Sequence, residues 1–297
     1  MHLVRYISPI DGRPVPGVRS GDTVAPLAGI NTFAELLRLP LSELQEAVSK
    51  VGEEEVAADL KYLPPLDGRG EVWCAGVTYE RSRGARMEES TEQSVYDKVY
   101  SAARPELFQK APAWRVVVDG EPVGIRSDSG HDVPEPELAV VANSHGEIVG
   151  FTVCNDMSSR SIEGVNPLYV PQAKLFVGGC ALAAGIRPVW EVADPKDLNI
   201  DLVIRRGGDE VFTGTTSTAK LVRELQDLID VLFLPNDFPD GVILATGTGI
   251  VPELDFALAE GDVITITIEE VGTLTNTVAT GREPFAFLAD DNLEGKR

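Results

Sequence analysis

One segment has residue types and spacing suited to metal chemistry: Pro134-Glu135-Pro136-Glu137-Leu138-Ala139-Val140-Val141. Residues two apart on an extended backbone project to the same side, so Glu135 and Glu137 converge. The two prolines stiffen that geometry and remove backbone donors. A later apolar run ends in Asn155-Asp156. If the two runs pair as a hairpin across Asn143-Ser144-His145-Gly146, Asp156 arrives near both glutamates. Three carboxylates in one place cannot all stay ionised without a cation. All-oxygen ligation with room for water and substrate suits Mg²⁺, with Mn²⁺ or Ca²⁺ as substitutes. From spacing alone, solvated edge-strand acids are an equal alternative.

Two further features stand out. Lys174 lies in an apolar stretch, Asn166-Pro167-Leu168-Tyr169-Val170-Pro171-Gln172-Ala173-Lys174-Leu175. There it is placed either to bind a carboxylate and move protons, or simply to snorkel out of a hydrophobic patch. Ala245-Thr246-Gly247-Thr248-Gly249 lets the backbone approach a ligand closely, with Thr248 offering a hydroxyl and an N–H, although any tight turn could use it. No dinucleotide or Walker loop, no Gly-x-Ser-x-Gly elbow and no Cys-x-x-Cys pair occurs, and His2, His131 and His145 are not at zinc-site spacing.

The elements that must position these residues are mostly short and β-branched. Expected strands are Leu3–Ile7, Glu71–Val77, Trp114–Val118, Glu137–Val141, Ile148–Cys154, Ile200–Arg205, Val242–Ala245 and Val263–Glu269. Apolar residues at helical spacing predict helices from Asn31 to Leu37 and from Leu41 to Ala47, capped by Asn31 or Thr32 and by Ser42, with Glu35 as a capping-box partner. Further helices are predicted over Thr91–Ala102 and Thr218–Leu234, the latter with Leu221, Leu225, Leu228 and Leu232 on one face. This pattern is a β-rich α+β fold and not a doubly wound parallel sheet. The extended, turn-rich stretch Leu63–Gly70 divides a small N-terminal domain, 1–66, from a larger metal-binding catalytic domain, 67–297.

Bulk composition narrows the partners. With 26 Lys and Arg against 47 Asp and Glu the net charge is −21, which disfavours nucleic acid and anionic membranes. Solubility or adaptation to salt is the plain reading of most of that excess. No apolar run reaches the roughly 18 residues of a membrane helix, and the N-terminus reads as no secretory signal. Cys74, Cys154 and Cys180 are too few for a disulfide framework and sit in apolar surroundings, so a cytoplasmic protein is expected.

The order Pro-Glu-Pro-Glu-Leu-Ala, Asn-Asp, lysine and Thr-Gly-Thr resembles the fumarylacetoacetate hydrolase family. The likeness extends through Glu71-Val72-Trp73, Tyr79-Glu80, Val99-Tyr100, Arg104-Pro105-Glu106, Phe108-x-Lys110, Arg126-Ser127-Asp128-Ser129, Asn166–Gln172 and Pro239-Asp240-Gly241, spanning about residues 70 to 280. It is densest with the subgroup that dehydrates 2-keto-3-deoxy-pentonates to 2,5-dioxopentanoate. The resemblance implies a mixed β-sheet roll or sandwich with a small N-terminal α/β domain, and a homodimer or homotetramer. It implies Mg²⁺ on Glu135, Glu137 and Asp156, and Glu106 and Lys174 as proton-transfer residues. Thr248 falls near the substrate carboxylate, and Tyr79, Glu80, Arg104, Lys110 and Lys174 around a small 2-oxo sugar acid.

One departure bears on the reaction. Family members that hydrolyse carbon–carbon bonds or decarboxylate carry a His and a Glu shortly after a Gly-x-Asn-Tyr segment. Here Ser82 and Ala85 stand in those places. The expectation is therefore a hydro-lyase. A carbon–carbon hydrolase of acylpyruvate or fumarylacetoacetate type and an oxaloacetate decarboxylase are the alternatives on the same scaffold. A non-catalytic sugar-acid binding protein is a third.

Overall fold

The computed structural model describes residues 1–52, 55–89 and 93–289. Among them a thirteen-stranded mixed sheet forms the backbone of the molecule. The hairpin partners Pro136–Ala142 and Ile148–Asp156 lie near its middle, antiparallel, with Glu137 opposite Cys154 and Pro136 opposite Asn155. Val242–Ala245 flanks the first of them antiparallel, and Glu71–Gly76 then runs parallel to Val242–Ala245. Glu106–Pro112 closes that edge antiparallel, with Glu106 opposite Gly76. On the other side His2–Ile7 pairs with Gly185–Pro188, which pairs with Ile148–Asp156. The N-terminal strands thus extend the main sheet; residues 1–66 remain our proposed small domain in that sense.

Side-chain alternation gives the sheet two buried faces. Leu138, Val140 and Val153 pack toward Ile200, Leu202, Ile264 and Ile266 of a five-stranded second sheet and toward the helix Leu225–Phe233. Ala139, Val141 and Val149 pack on the opposite face under Phe33, Leu36, Leu37 and Leu44 of the two N-terminal helices. Glu137 shares the parity of Ala139 and Val141, so it belongs to this second face, at its end. The α+β, β-rich expectation and its sheet sandwich are what the chain forms.

Several local expectations are corrected. Helix Phe33–Leu37 has Thr32 as its cap, as expected, and Glu35 Oε2 accepts from the Asn31 amide. Helix Leu41–Ser49, however, begins after Pro40, and Ser42 lies inside it. Its Leu41 amide is met by Glu147 Oε2 at 2.7 Å, from a distant turn. The expected helix Thr218–Leu234 is broken: a 3₁₀ turn covers Thr218–Lys220, and the α-helix runs only over Leu225–Phe233. Lys196 Nζ takes the carbonyls of Leu221 and Arg223, and the Val222 amide bonds Thr78 O, so tertiary partners claim the intervening backbone. Ala113–Arg115 forms a 3₁₀ turn and only Val117–Val118 is strand. Helix Gln93–Ser101 lies within the expected Thr91–Ala102, whose residues 91 and 92 fall outside the described part. A helix over Glu80–Glu89 was not expected. Among the described residues no helix is long and apolar enough to cross a membrane, and the three cysteines are buried and unpaired.

Candidate active site

The register sets the site. Ile148–Asp156, Val242–Ala245 and Glu71–Gly76 end at one edge of the sheet, where Pro136–Ala142 and Glu106–Pro112 begin. Glu135 stands just before its strand, its carbonyl accepting the Asp156 amide at 3.0 Å, which extends the hairpin ladder to the functional residues. Carboxylate oxygens of Glu135, Glu137 and Asp156 lie within 4.8 Å of one another. The three residues are 3%, 1% and 1% exposed, which removes the alternative of solvated edge acids.

Burial and the neighbouring charges of Asp156 and Glu135 hold the Glu137 carboxyl well above the usual range. The Gly247 amide donates to its Oε2 at 2.7 Å. Gly247 has φ +95°, a conformation that favours glycine, and a side chain there would strike Thr78. The Thr-Gly-Thr turn thus aims a backbone N–H at the triad. Lys174 Nζ donates to Glu135 Oε2 at 2.8 Å and Asp156 Oδ2 at 2.9 Å. Arg160 Nη2 donates to Glu135 Oε1 at 3.0 Å. Lys110 Nζ gives its hydrogen bonds to Met157 O and Lys174 O, and approaches Asp156 Oδ1 at 2.5 Å as a charge contact only. An all-oxygen donor set and mutual repulsion at Glu137 together fit a hard divalent cation.

A small cleft opens onto the triad, and Glu106, Lys174, Thr248, Ser82, Phe108 and Glu163 are among the residues that line it. Glu106 and Lys174 therefore face one space with the triad. Thr248 is buried, its hydroxyl exchanging hydrogen bonds with Ile250. The other expected contacts lie elsewhere. Tyr79 is buried in the main core, its phenol pushed upward by burial and by Glu137, and does not line the cleft. The Glu80 side chain is 81% exposed and pairs with Arg83. Arg104 is exposed before the Glu106 strand. Lys110 sits behind Asp156, out of the cleft lining. Ser82 Oγ caps its own turn through Tyr79 O, and Ala85 is buried. No described histidine lines the cleft.

Two residues escaped the reading of the sequence. Arg160 and Glu163, 3% and 4% exposed, lie three apart on a four-residue helix after Asp156. Their signal was a charged pair at helical spacing directly behind a candidate metal ligand. Four buried carboxylates here face three buried cations: Glu135, Glu137, Asp156 and Glu163 against Lys110, Lys174 and Arg160. A divalent ion would turn that deficit into a surplus suited to an anionic ligand on a strongly acidic protein.

The sequence pattern described as Fumarylacetoacetate (FAA) hydrolase C-terminal matches residues 71–279, and the chain belongs to this family. It is 42% identical over 263 residues to the "Probable 2-keto-3-deoxyxylonate dehydratase" of Haloferax volcanii, covering 85% of this chain and 90% of that one. It is likewise 42% identical over 229 residues to the "2-dehydro-3-deoxy-D-arabinonate dehydratase" of Saccharolobus solfataricus, covering 76% of each. A solved structure, "2-keto-3-deoxy-D-arabinonate dehydratase complexed with magnesium and 2,5-dioxopentanoate", superposes with a TM-score of 0.81 at 35% identity, covering 95% of this chain and 100% of that one.

Proposed function

We propose that this chain is a Mg²⁺-dependent hydro-lyase that converts a 2-keto-3-deoxy-pentonate to 2,5-dioxopentanoate in pentose oxidation. The observation that carries the reading is the buried triad opening onto one cleft with Lys174 and Glu106. Similarity to relatives named as dehydratases supports the same reaction. Glu135, Glu137 and Asp156 would hold the ion, with Mn²⁺ or Ca²⁺ as substitutes. When bound, Mg²⁺ supplies Lewis-acid polarisation of a 2-oxo group, lowering the barrier to C3 deprotonation by several kcal/mol.

The protein's own residues do the rest. Arg160 and Lys110 brace Glu135 and Asp156 from the protein side, fixing the carboxylates without entering the cleft. Lys174 and Glu106 share the proton transfers at C3 and at the departing C4 hydroxyl, one as base and the other as acid. Thr248 and the turn around it border the same space for the substrate carboxylate. Ser82 and Ala85, in place of a His and a Glu, leave no water-activating pair, which disfavours carbon–carbon hydrolysis and decarboxylation. Assembly as a homodimer or homotetramer and a cytoplasmic location belong to this reading; the unpaired thiols support the latter.

The test is to incubate the pure protein with a 2-keto-3-deoxy-pentonate, an acylpyruvate and oxaloacetate, each with and without EDTA. The expected result is 2,5-dioxopentanoate from the sugar acid alone, abolished by EDTA and restored by Mg²⁺. Turnover of oxaloacetate or the acylpyruvate instead, or activity indifferent to EDTA, overturns the proposal. Binding of the sugar acid without turnover would instead favour a non-catalytic binding protein.

A further inference from the structure

Resting on the dehydratase reading, the chemistry needs more than two proton transfers. Loss of the C3 proton and the C4 hydroxyl leaves 5-hydroxy-2-oxopent-3-enoate, an isomer of the product. To become 2,5-dioxopentanoate it must lose a carbon-bound proton at C5 and gain protons at C3 and C4. Lys174 and Glu106 are occupied with the elimination.

The cleft contains one more proton-carrying side chain. Glu163 is 4% exposed and lines the same space as Glu106, Lys174, Phe108 and Val170. Its position is fixed relative to the triad by its own short helix. Arg160, three residues earlier, donates to Glu135 at 3.0 Å, and the Arg160 amide is tied to His131 O at 2.8 Å. Carboxylates are rarely buried without purpose, because desolvation opposes the ionised form. A cleft that needed only polarity or a hydrogen-bond acceptor could use an amide or hydroxyl, neither of which carries a proton between carbon centres at neutral pH.

We propose that Glu163 is the catalytic residue of the second stage, the base that removes the C5 proton from the dehydrated intermediate. Its carboxylate takes that proton. The C5–H pair becomes the C4=C5 bond, the C3=C4 pair moves to C2–C3, and the carbonyl pair moves to the C2 oxygen. The Glu163 acid so formed returns the proton to C3, restoring the ketone. C4 then gains a proton as the C5 hydroxyl loses its own, and the enol becomes the aldehyde. Atoms and electrons balance without an oxidant.

The experiment compares wild type, E163Q and E163D as full chains in saturating Mg²⁺, following the conjugated enone by near-ultraviolet absorbance and the aldehyde by NMR. E163Q is expected to consume the sugar acid and accumulate 5-hydroxy-2-oxopent-3-enoate. Formation of 2,5-dioxopentanoate should fall about 10²- to 10⁴-fold, the range for removal of a general base, and E163D should recover part of it. Synthetic 5-hydroxy-2-oxopent-3-enoate supplied directly should be converted by wild type, but slowly by either Glu163 variant. Wild-type rates on that compound from the variants overturn the inference, as does equal loss of substrate consumption and product formation in a variant that still binds Mg²⁺ normally by calorimetry. If E163Q does not fold, E163D with the supplied compound decides. Failure of wild type to dehydrate the sugar acid sinks the dehydratase reading instead, a separate outcome.

Discussion

Substituting Gly76 by alanine should remove activity without touching the metal site. Gly76 pairs with Glu106 across antiparallel strands, and a Cβ built on Gly76 would lie 2.8 Å from Glu106 Cδ, closer still to Oε2. Ordinary contact begins near 3.4 Å, so the carboxyl must retreat by about 0.6 Å or more, or rotate away at a cost of about 0.5–1.5 kcal/mol. Gly76 is not among the residues with positive φ, so alanine meets no backbone strain. Its smaller unfolded-state entropy returns about 0.4–1 kcal/mol. Stability should therefore change little. A displacement of that order in a proton-transfer group costs about 10²-fold in rate, or roughly 2.7 kcal/mol of transition-state stabilisation. The assay is kcat for 2,5-dioxopentanoate formation, with Mg²⁺ affinity by calorimetry and thermal melting in parallel. Wild-type kcat in G76A would show that the position of Glu106 does not matter. Loss of Mg²⁺ affinity would show that the effect spreads beyond it.

Other perturbations separate structure from chemistry. K110M strips a fully buried ammonium from Asp156 and leaves two carbonyls unbonded. It should cost about 3–5 kcal/mol of stability, read by denaturant unfolding, and weaken binding of the anionic substrate, read as a raised KM in the folded fraction. D240N weakens the clamp in which Arg38 and Arg69 grip one carboxylate from the N-terminal helix and the linker. Because those arginines are half exposed or more, the loss should be about 2 kcal/mol, or roughly 3 °C in Tm for a chain of this length. The same clamp holds the Asp240 carboxyl well below its ordinary value of 3.8. Its stabilisation is thus complete above pH 4 or so, and it fades as pH falls further toward the depressed value. D240N should flatten that acid limb of the stability curve. E80Q, on a side chain turned to solvent, should leave both kcat and KM within experimental error.

The triad was legible because two physical rules act over short sequence distances. Alternation put Glu135 and Glu137 on one side, and a five-residue turn, 143–147, brought Asp156 back beside them. Lys174 was marked by its apolar stretch and Lys110 only by the family resemblance, and neither signal gives the direction of a side chain. The fold sends one into the cleft and the other behind Asp156. Arg160 and Glu163 were hidden because a four-residue helix is too short to show periodicity. The break in the 218–234 helix depended on Lys196, more than twenty residues away, which no local pattern contains. Sheet order was equally opaque: the pairing of His2–Ile7 with Gly185–Pro188 spans nearly two hundred residues. The eight expected strands, apart from Trp114–Val118, followed from β-branched runs between turn residues, whereas Pro14–Ser20, Glu106–Pro112, Gly185–Pro188, Asp209–Ser217 and Gly272–Thr280 were not among them.

The most direct test is a crystal of this protein soaked in Mn²⁺ and measured for anomalous scattering. One strong peak should lie between Glu135, Glu137 and Asp156, within roughly 2.0–2.3 Å of an oxygen from each, and it should vanish in crystals of E137Q. No peak there at saturating Mn²⁺, or an equal peak retained by E137Q, would contradict the assignment of these carboxylates as the metal site.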